Sequence, residues 1–322
     1  MHYQWGLGAV RRMSIQAVLM REMIRLTAKR RLRHSDDVLA LRHALQQKKQ
    51  NAKPKQWSAA ISSLLLGEVP TERVATVSAP AAEADDAALI YLHGGAWVVG
   101  EPDDFRPLTT QLAQLTGLPV YVPDYRLAPE YPFPAALNDC EAVYRALLAQ
   151  GIAPSRIALL GDSAGGNLVF ALALRLKRLR LPQPAALVGL SPCTDLSGES
   201  ASFKRNVRRD ALLPAERLSE CISAYCPNRS LKEPEISPLF GDLANIAPAL
   251  LQVSDNEILL DDSTRLAERI RAAGGVVQLD VWKGLWHVWQ NFPQQVPEAR
   301  QAIAHIAEFV TAHMAPSEKI SA

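Results

Sequence analysis

The chain has 322 residues, 48% of them hydrophobic, with 35 Lys and Arg against 33 Asp and Glu. At about 150 residues per domain this length allows roughly two domains, or one large α/β domain carrying an insertion, and a core that needs no disulfide or metal staple. Ordinary apolar content excludes global disorder, and no run reaches the 18 or so apolar residues of a membrane span. The near-neutral total hides an asymmetry: residues 1–55 hold 13 Lys/Arg and 3 Asp/Glu, whereas the other 267 hold 22 and 30. A mildly acidic body with a basic N-terminal segment is not a nucleic-acid binder, and the chain predicts no nucleic-acid partner. Cys140, Cys193, Cys221 and Cys226 form no CxxC pair and no zinc pattern, so they read as buried small residues of a reducing compartment. Arg11 and Arg12 precede only the short apolar stretch Met13–Met20, with no cleavage site after it. The expectation is a cytoplasmic protein without stable membrane insertion.

From Val10 to about Gln50 apolar residues recur at helical steps (Ile15, Val18, Leu19, Met23, Leu26), with Arg and Lys between them. Ser35-Asp36-Asp37 reads as the cap of a second helix through Val38, Leu41 and Leu45. The basic faces read as solvated surface, with contact to anionic lipid or nucleic acid as the other option. A Pro- and Ala-rich stretch near Pro70–Ala88 follows. Then short apolar runs predict strands at 88–92, 118–122, 157–160, 186–190, 249–253 and 276–281. Helical patterns at 108–115, 135–150, 166–180, 262–273 and 299–313 accompany them. Buried strands alternating with amphipathic helices predict a mostly parallel sheet covered on both faces. Residues 197–234 interrupt the alternation around a helical part, Pro214–Tyr225, and read as an inserted cap. With the N-terminal helices this insertion could roof a site at the strand ends. The expected division is therefore 1–55 as cap helices and 56–322 as the main domain.

Gly161-Asp162-Ser163-Ala164-Gly165-Gly166 follows one predicted strand and opens a helix, the setting a G-x-S-x-G nucleophile elbow requires. Small residues flank the serine so that a tight turn avoids backbone collisions, and the helix N-terminus favours developing negative charge. His93-Gly94-Gly95-Ala96-Trp97 follows another strand, where glycine backbone can approach a substrate oxygen as an oxyanion hole needs. His93 reads as a loop organiser. Of seven histidines, His305 and His313 fall on the C-terminal helix, while His287 sits in the loop after the last strand, the place for a base. The loop after the strand at 249–253 offers two acids, Asp255 and Glu257; Asp261 and Asp262 read as the start of the next helix.

Taken together, the sequence resembles the bacterial hormone-sensitive-lipase-like esterases, a branch of the α/β-hydrolases. The resemblance rests on His93–Trp97, Tyr125-Arg126-Leu127-Ala128-Pro129-Glu130, Phe133–Ala136, Gly161–Gly166, Ser191-Pro192, Ser237-Pro238-Leu239, Asp255–Asp262 and the His287 loop, across about residues 60–310. It implies an α/β-hydrolase fold with a helical cap and a serine carboxylesterase acting on short- to medium-chain esters or lactones through an acyl-enzyme. No metal or organic cofactor is called for. The family loop reads Asp-Pro-Leu-x-Asp; laying Leu259 and Asp261 on it puts Glu257 at the catalytic acid, 30 positions before His287, with Asp255 as the alternative. Ala96 stands where the family normally has a third glycine, which would disfavour bulky tertiary alcohol esters. The expected oxyanion donors are Gly94 or Gly95, Ala96 and Ala164. Trp97 and Trp286 are expected to bind substrate, with Trp289 near them; core or cap packing is the other role open to all three. The resemblance leaves homodimerisation open. Two other functions fit the same scaffold: a non-catalytic small-molecule-binding protein, and a lipase working at a membrane surface.

Overall fold

A computed structural model of the chain describes residues 13–33, 37–51, 56–77 and 86–315. The expected helix start at Val10–Arg12 and the cap residues Ser35 and Asp36 lie outside these. Eight strands form one sheet in the order β1-β2-β4-β3-β5-β6-β7-β8. The strands are β1 (Ala60–Leu66), β2 (Val69–Ala75), β3 (Ala88–Leu92), β4 (Val120–Pro123), β5 (Ile157–Asp162), β6 (Ala186–Leu190), β7 (Ala249–Ser254) and β8 (Val277–Trp282). From β4 to β8 every pairing is parallel. This is the α/β-hydrolase fold.

The apolar runs exist because each central strand is buried on both faces, so alternate residues enter two separate cores. Ile90 and Leu92 of β3, with Leu159 of β5, pack beneath α5 (Ala135–Ala149), α6 (Ala164–Arg178) and α9 (Leu260–Ala272). Leu89, Tyr91 and Leu160 face the other way, onto α4 (Arg106–Thr116) and α10 (Pro297–His313).

The Pro- and Ala-rich reading from Pro70 needs correction. Residues 69–75 are β2, which pairs antiparallel with β1 and β4. The β1–β2 turn is Gly67-Glu68, with φ of 57° and 66°, the twist that two-residue hairpin turns require. The pair escaped notice because β1 is a largely exposed edge strand, and Pro70, Glu72 and Arg73 break the pattern of β2.

Two helical segments stand beside the C-terminal ends of the strands. One comprises α1 (Ile15–Ile24), a π-helical turn (Arg25–Lys29), α2 (Arg30–Arg33) and α3 (Val38–Gln50), which Asp37 caps by accepting from the Ala40 amide at 2.7 Å. The other, between β6 and β7, holds α7 (Ala201–Arg205) and α8 (Ala215–Tyr225). They are tied together: Lys29 Nζ donates to the carbonyls of Val207 and Asp210, and Arg217 Nε to that of Leu32. All four cysteines are buried and free of disulfides. Among the described residues no helix is long and apolar enough to cross a membrane.

Candidate active site

Four strand ends deliver the candidate residues. At the end of β5 the chain turns sharply into α6, with Ser163 at φ 53° and ψ −117°. The turn passes so close to β3 that a Cβ on Gly165 would lie 1.9 Å from the Leu92 carbonyl oxygen. Only glycine fits there. Ser163 is nearly buried, at the N-terminus of a 15-residue helix, where the helix dipole favours negative charge.

His287 lies five residues beyond the end of β8, and its Nδ1 donates to Glu257 Oε2 at 2.6 Å. The other oxygen, Oε1, accepts from the Ser254 amide at 2.7 Å and the Ser191 hydroxyl at 2.8 Å. Glu257 is wholly buried, so these donors replace the water its charge has lost. Asp255 goes elsewhere: its Oδ1 accepts from the Gly284 amide at 2.8 Å and braces the histidine loop. Burial works against a charged His287. The hydrogen bond and charge of Glu257, with Asp210 and Asp162 behind them, outweigh it and hold the imidazole above the ordinary histidine value. His305 and His313 remain on α10, bonded to Asp280 and to the Phe309 carbonyl.

Ser163 and His287 face one cavity of about 450 Å³, together with Gly95 and Ala96. Its apolar wall comes from Val98, Phe105, Leu212, Leu213, Val288 and Phe292, and Leu32 and Leu41 of the N-terminal helices also reach it.

Three expectations about the glycine loop and the tryptophans need correction. Gly94 leaves the set of oxyanion donors, because its amide donates to Asp162 Oδ1 at 2.8 Å. Gly95, Ala96 and Ala164 remain, their amides donating to no acceptor among the described residues. Trp97 is wholly buried and stacks on Tyr225 at 4.5 Å, away from the cavity. Trp286 is equally buried, edge-on to Phe292 at 5.6 Å, and Trp289 shares that core. Their bulk fills core rather than gripping a ligand.

His93 organises the loop. Its Nδ1 donates to the Gly94 carbonyl at 2.8 Å, its ring stacks on Tyr125 at 4.2 Å, and burial pushes its pKa down to about 4.

Sequence reasoning missed two buried carboxylates. Asp162, inside the serine motif, accepts from the Tyr91 hydroxyl and the Gly94 amide, and burial raises its pKa to about 6 despite those bonds. An acid in an otherwise apolar strand was the available signal. Asp210 accepts from the amides of Leu212, Leu213 and Ile258, so it links the cavity wall to the residue after Glu257. Asn206 adds bonds to the Asp255 and Glu257 carbonyls. Both lie in a polar stretch without periodicity, and nothing in the sequence marks them.

Comparison with known proteins gives the family. The profile of the alpha/beta hydrolase fold family matches residues 89–291. An esterase of Acinetobacter venetianus is 44% identical over 232 residues, 71% of this chain and 77% of its own. An ethyl acetate hydrolase of Pseudomonas putida is 37% identical over 236 residues, 71% of this chain and 74% of its own. The crystal structure of an esterase from the bacterial hormone-sensitive lipase family superposes with a TM-score of 0.86 at 37% identity, covering 95% of this chain and all of the other. A sheet with these strand ends, seen in relatives this similar over this much of their length, leaves one assignment: the chain belongs to the hormone-sensitive-lipase-like esterases of the α/β-hydrolase fold and is a carboxylic ester hydrolase.

Proposed function

We propose that the chain hydrolyses short- to medium-chain carboxylic esters, and lactones of similar size, through an acyl-enzyme on Ser163. His287 takes the proton of the Ser163 hydroxyl as it attacks the ester carbonyl, and then gives that proton to the leaving alcohol. It next activates a water that releases the acid. Glu257 holds the imidazole in the tautomer with Nδ1–H, leaving Nε2 free to accept, and stabilises the imidazolium that forms. The amides of Gly95, Ala96 and Ala164 receive the oxyanion. Residues 1–55 and about 197–234 act as the cap over this chemistry, on the domain formed by 56–322.

The observation that carries the proposal is the buried Glu257–His287 pair opening onto the cavity that holds Ser163. A cavity of about 450 Å³ with a mostly apolar wall suits a small ester. A relative bearing the name ethyl acetate hydrolase supports short acyl groups. The test is hydrolysis of p-nitrophenyl esters from acetyl to palmitoyl by wild type and Ser163→Ala. Activity should peak at short chains and fall roughly a million-fold in the variant. Substantial turnover without Ser163 would refute the acyl-enzyme; an optimum at palmitoyl would refute the substrate class.

A further inference from the structure

Helix α1 carries apolar residues on both of its sides, and among the described residues only one side packs on the body. Ala17 and Ile24 pack on Trp282, Trp286 and Trp289 of the body. Ser14 and Arg21 anchor that inner side, through Glu298 and the Gly284 carbonyl. The outer side shows Ile15, Val18, Leu19 and Met23, continued by Leu26 of the π-helical turn, between 38% and 78% exposed. Single exposed apolar residues are ordinary, but five within twelve positions of one anchored helix form a patch. Its surroundings are basic: residues 15–33 contain Arg21, Arg25, Lys29, Arg30, Arg31 and Arg33 against the single acid Glu22. Arg30 and Arg33 are exposed, and the sequence just ahead brings Arg11 and Arg12.

We propose that this face docks on anionic lipid, with the apolar stripe entering the acyl boundary and the arginines meeting the headgroup charge. A second copy of the chain suits the face less well, because a symmetric contact would lay a surface of one sign on itself. Docking also has a use. Leu32, in the helix that continues from α1, lines the cavity of Ser163, so the docked face lies beside the route to the site. Esters dissolved in the lipid then become substrates at short range. That use rests on the esterase reading above, whereas the docking does not.

The experiment is flotation of the full-length chain with phosphatidylcholine vesicles made with and without phosphatidylglycerol, at low and high salt. Wild type should float with the anionic vesicles only, and less so in salt. Leu19→Glu/Leu26→Glu and Arg30→Glu/Arg33→Glu should each weaken this binding about 30-fold or more. Both variants should hydrolyse p-nitrophenyl butyrate at the wild-type rate in vesicle-free buffer, which shows them folded and separates docking from catalysis. The proposal is overturned if wild type stays with the soluble fraction, if neutral vesicles bind it equally, or if both variants bind as wild type does. It is likewise overturned if wild type is a dimer that Leu19→Glu/Leu26→Glu converts to monomer, since the stripe would then belong to a second copy.

Discussion

Glu257→Gln is the substitution whose cost the geometry defines most tightly. Both carboxylate oxygens accept: Oε2 from His287 Nδ1 at 2.6 Å, and Oε1 from Ser254 N at 2.7 Å and Ser191 Oγ at 2.8 Å. Glutamine keeps the shape and one acceptor, but its other terminus is an –NH2 donor. If that donor turned toward Ser254, two buried N–H groups would face each other, at a cost of about 1–3 kcal/mol. The oxygen therefore stays with Ser254 and Ser191, and the –NH2 faces Nδ1. The imidazole must then carry its proton on Nε2, where it can no longer take one from Ser163. In a serine protease the same wrong-tautomer change lowers kcat about 10⁴-fold, which at 1.36 kcal/mol per tenfold is about 5.4 kcal/mol of transition-state stabilisation. Asp255→Asn is the control, because asparagine keeps an oxygen for the Gly284 amide, so its kcat should stay within about threefold of wild type. Steady-state kcat on p-nitrophenyl butyrate, with circular dichroism to confirm folding, reads both. A loss below about 100-fold for Glu257→Gln, or a larger loss for Asp255→Asn, would refute the assignment of the acid.

The acid limb of kcat/KM should have its midpoint above 6.5, because a base must be neutral and His287 is held above its ordinary value of 6.5. Protonation of Asp162 near pH 6 leaves a neutral, weaker acceptor for the Gly94 amide and should steepen the fall; a midpoint below 6.5 would contradict this. Ala96 sits at φ 52°, a conformation that costs an L-residue roughly 1–2 kcal/mol. Ala96→Gly should relieve that strain, open space beside Ser163 and bring measurable hydrolysis of tert-butyl acetate, which wild type should lack. Asp210→Ala strips the acceptor from three amides, and the buried one, of Ile258, is worth about 1–3 kcal/mol. A lower urea midpoint with reduced kcat is expected, and wild-type values for both would show that the linkage does nothing.

What the sequence reveals depends on how a residue's role is enforced. Strands β3 and β5 to β7 are buried on both faces, so they must be apolar runs and stand out as such. The β1–β2 hairpin is enforced by pairing at a sheet edge, which leaves no such trace. Ser163 is legible because the turn it occupies excludes side chains from its neighbours, and His287 because it follows the last strand. Two acids in one loop are different: spacing alone does not tell which carboxylate reaches the imidazole, and Glu257 stood out only through family resemblance. Aromatic bulk beside a motif is equally ambiguous. Trp97 follows the glycine loop at φ 62°, and the chain carries its ring into the core against Tyr225.

The carboxylates around His287 explain how loops from distant parts of the chain converge so closely. Glu257, Asp162 and Asp210 are all 3% exposed or less, and an unpaired buried charge is too costly to persist. Each is therefore solvated by protein donors, and those donors come from several loops. Asp162 takes the amide of the glycine loop, Glu257 takes the head of its own loop and Ser191 after β6, and Asp210 takes the cavity wall and Ile258. The bonds that make three dry carboxylates tolerable thus also set the positions of the glycine loop, the histidine's partner and the cavity wall relative to Ser163. Replacing any one of the three by a neutral residue should disturb two loops at once, with kcat falling further than the loss of one hydrogen bond predicts. Double substitutions, such as Asp162→Asn with Asp210→Asn, should then be markedly non-additive. Strict additivity would mean that the three act as independent braces.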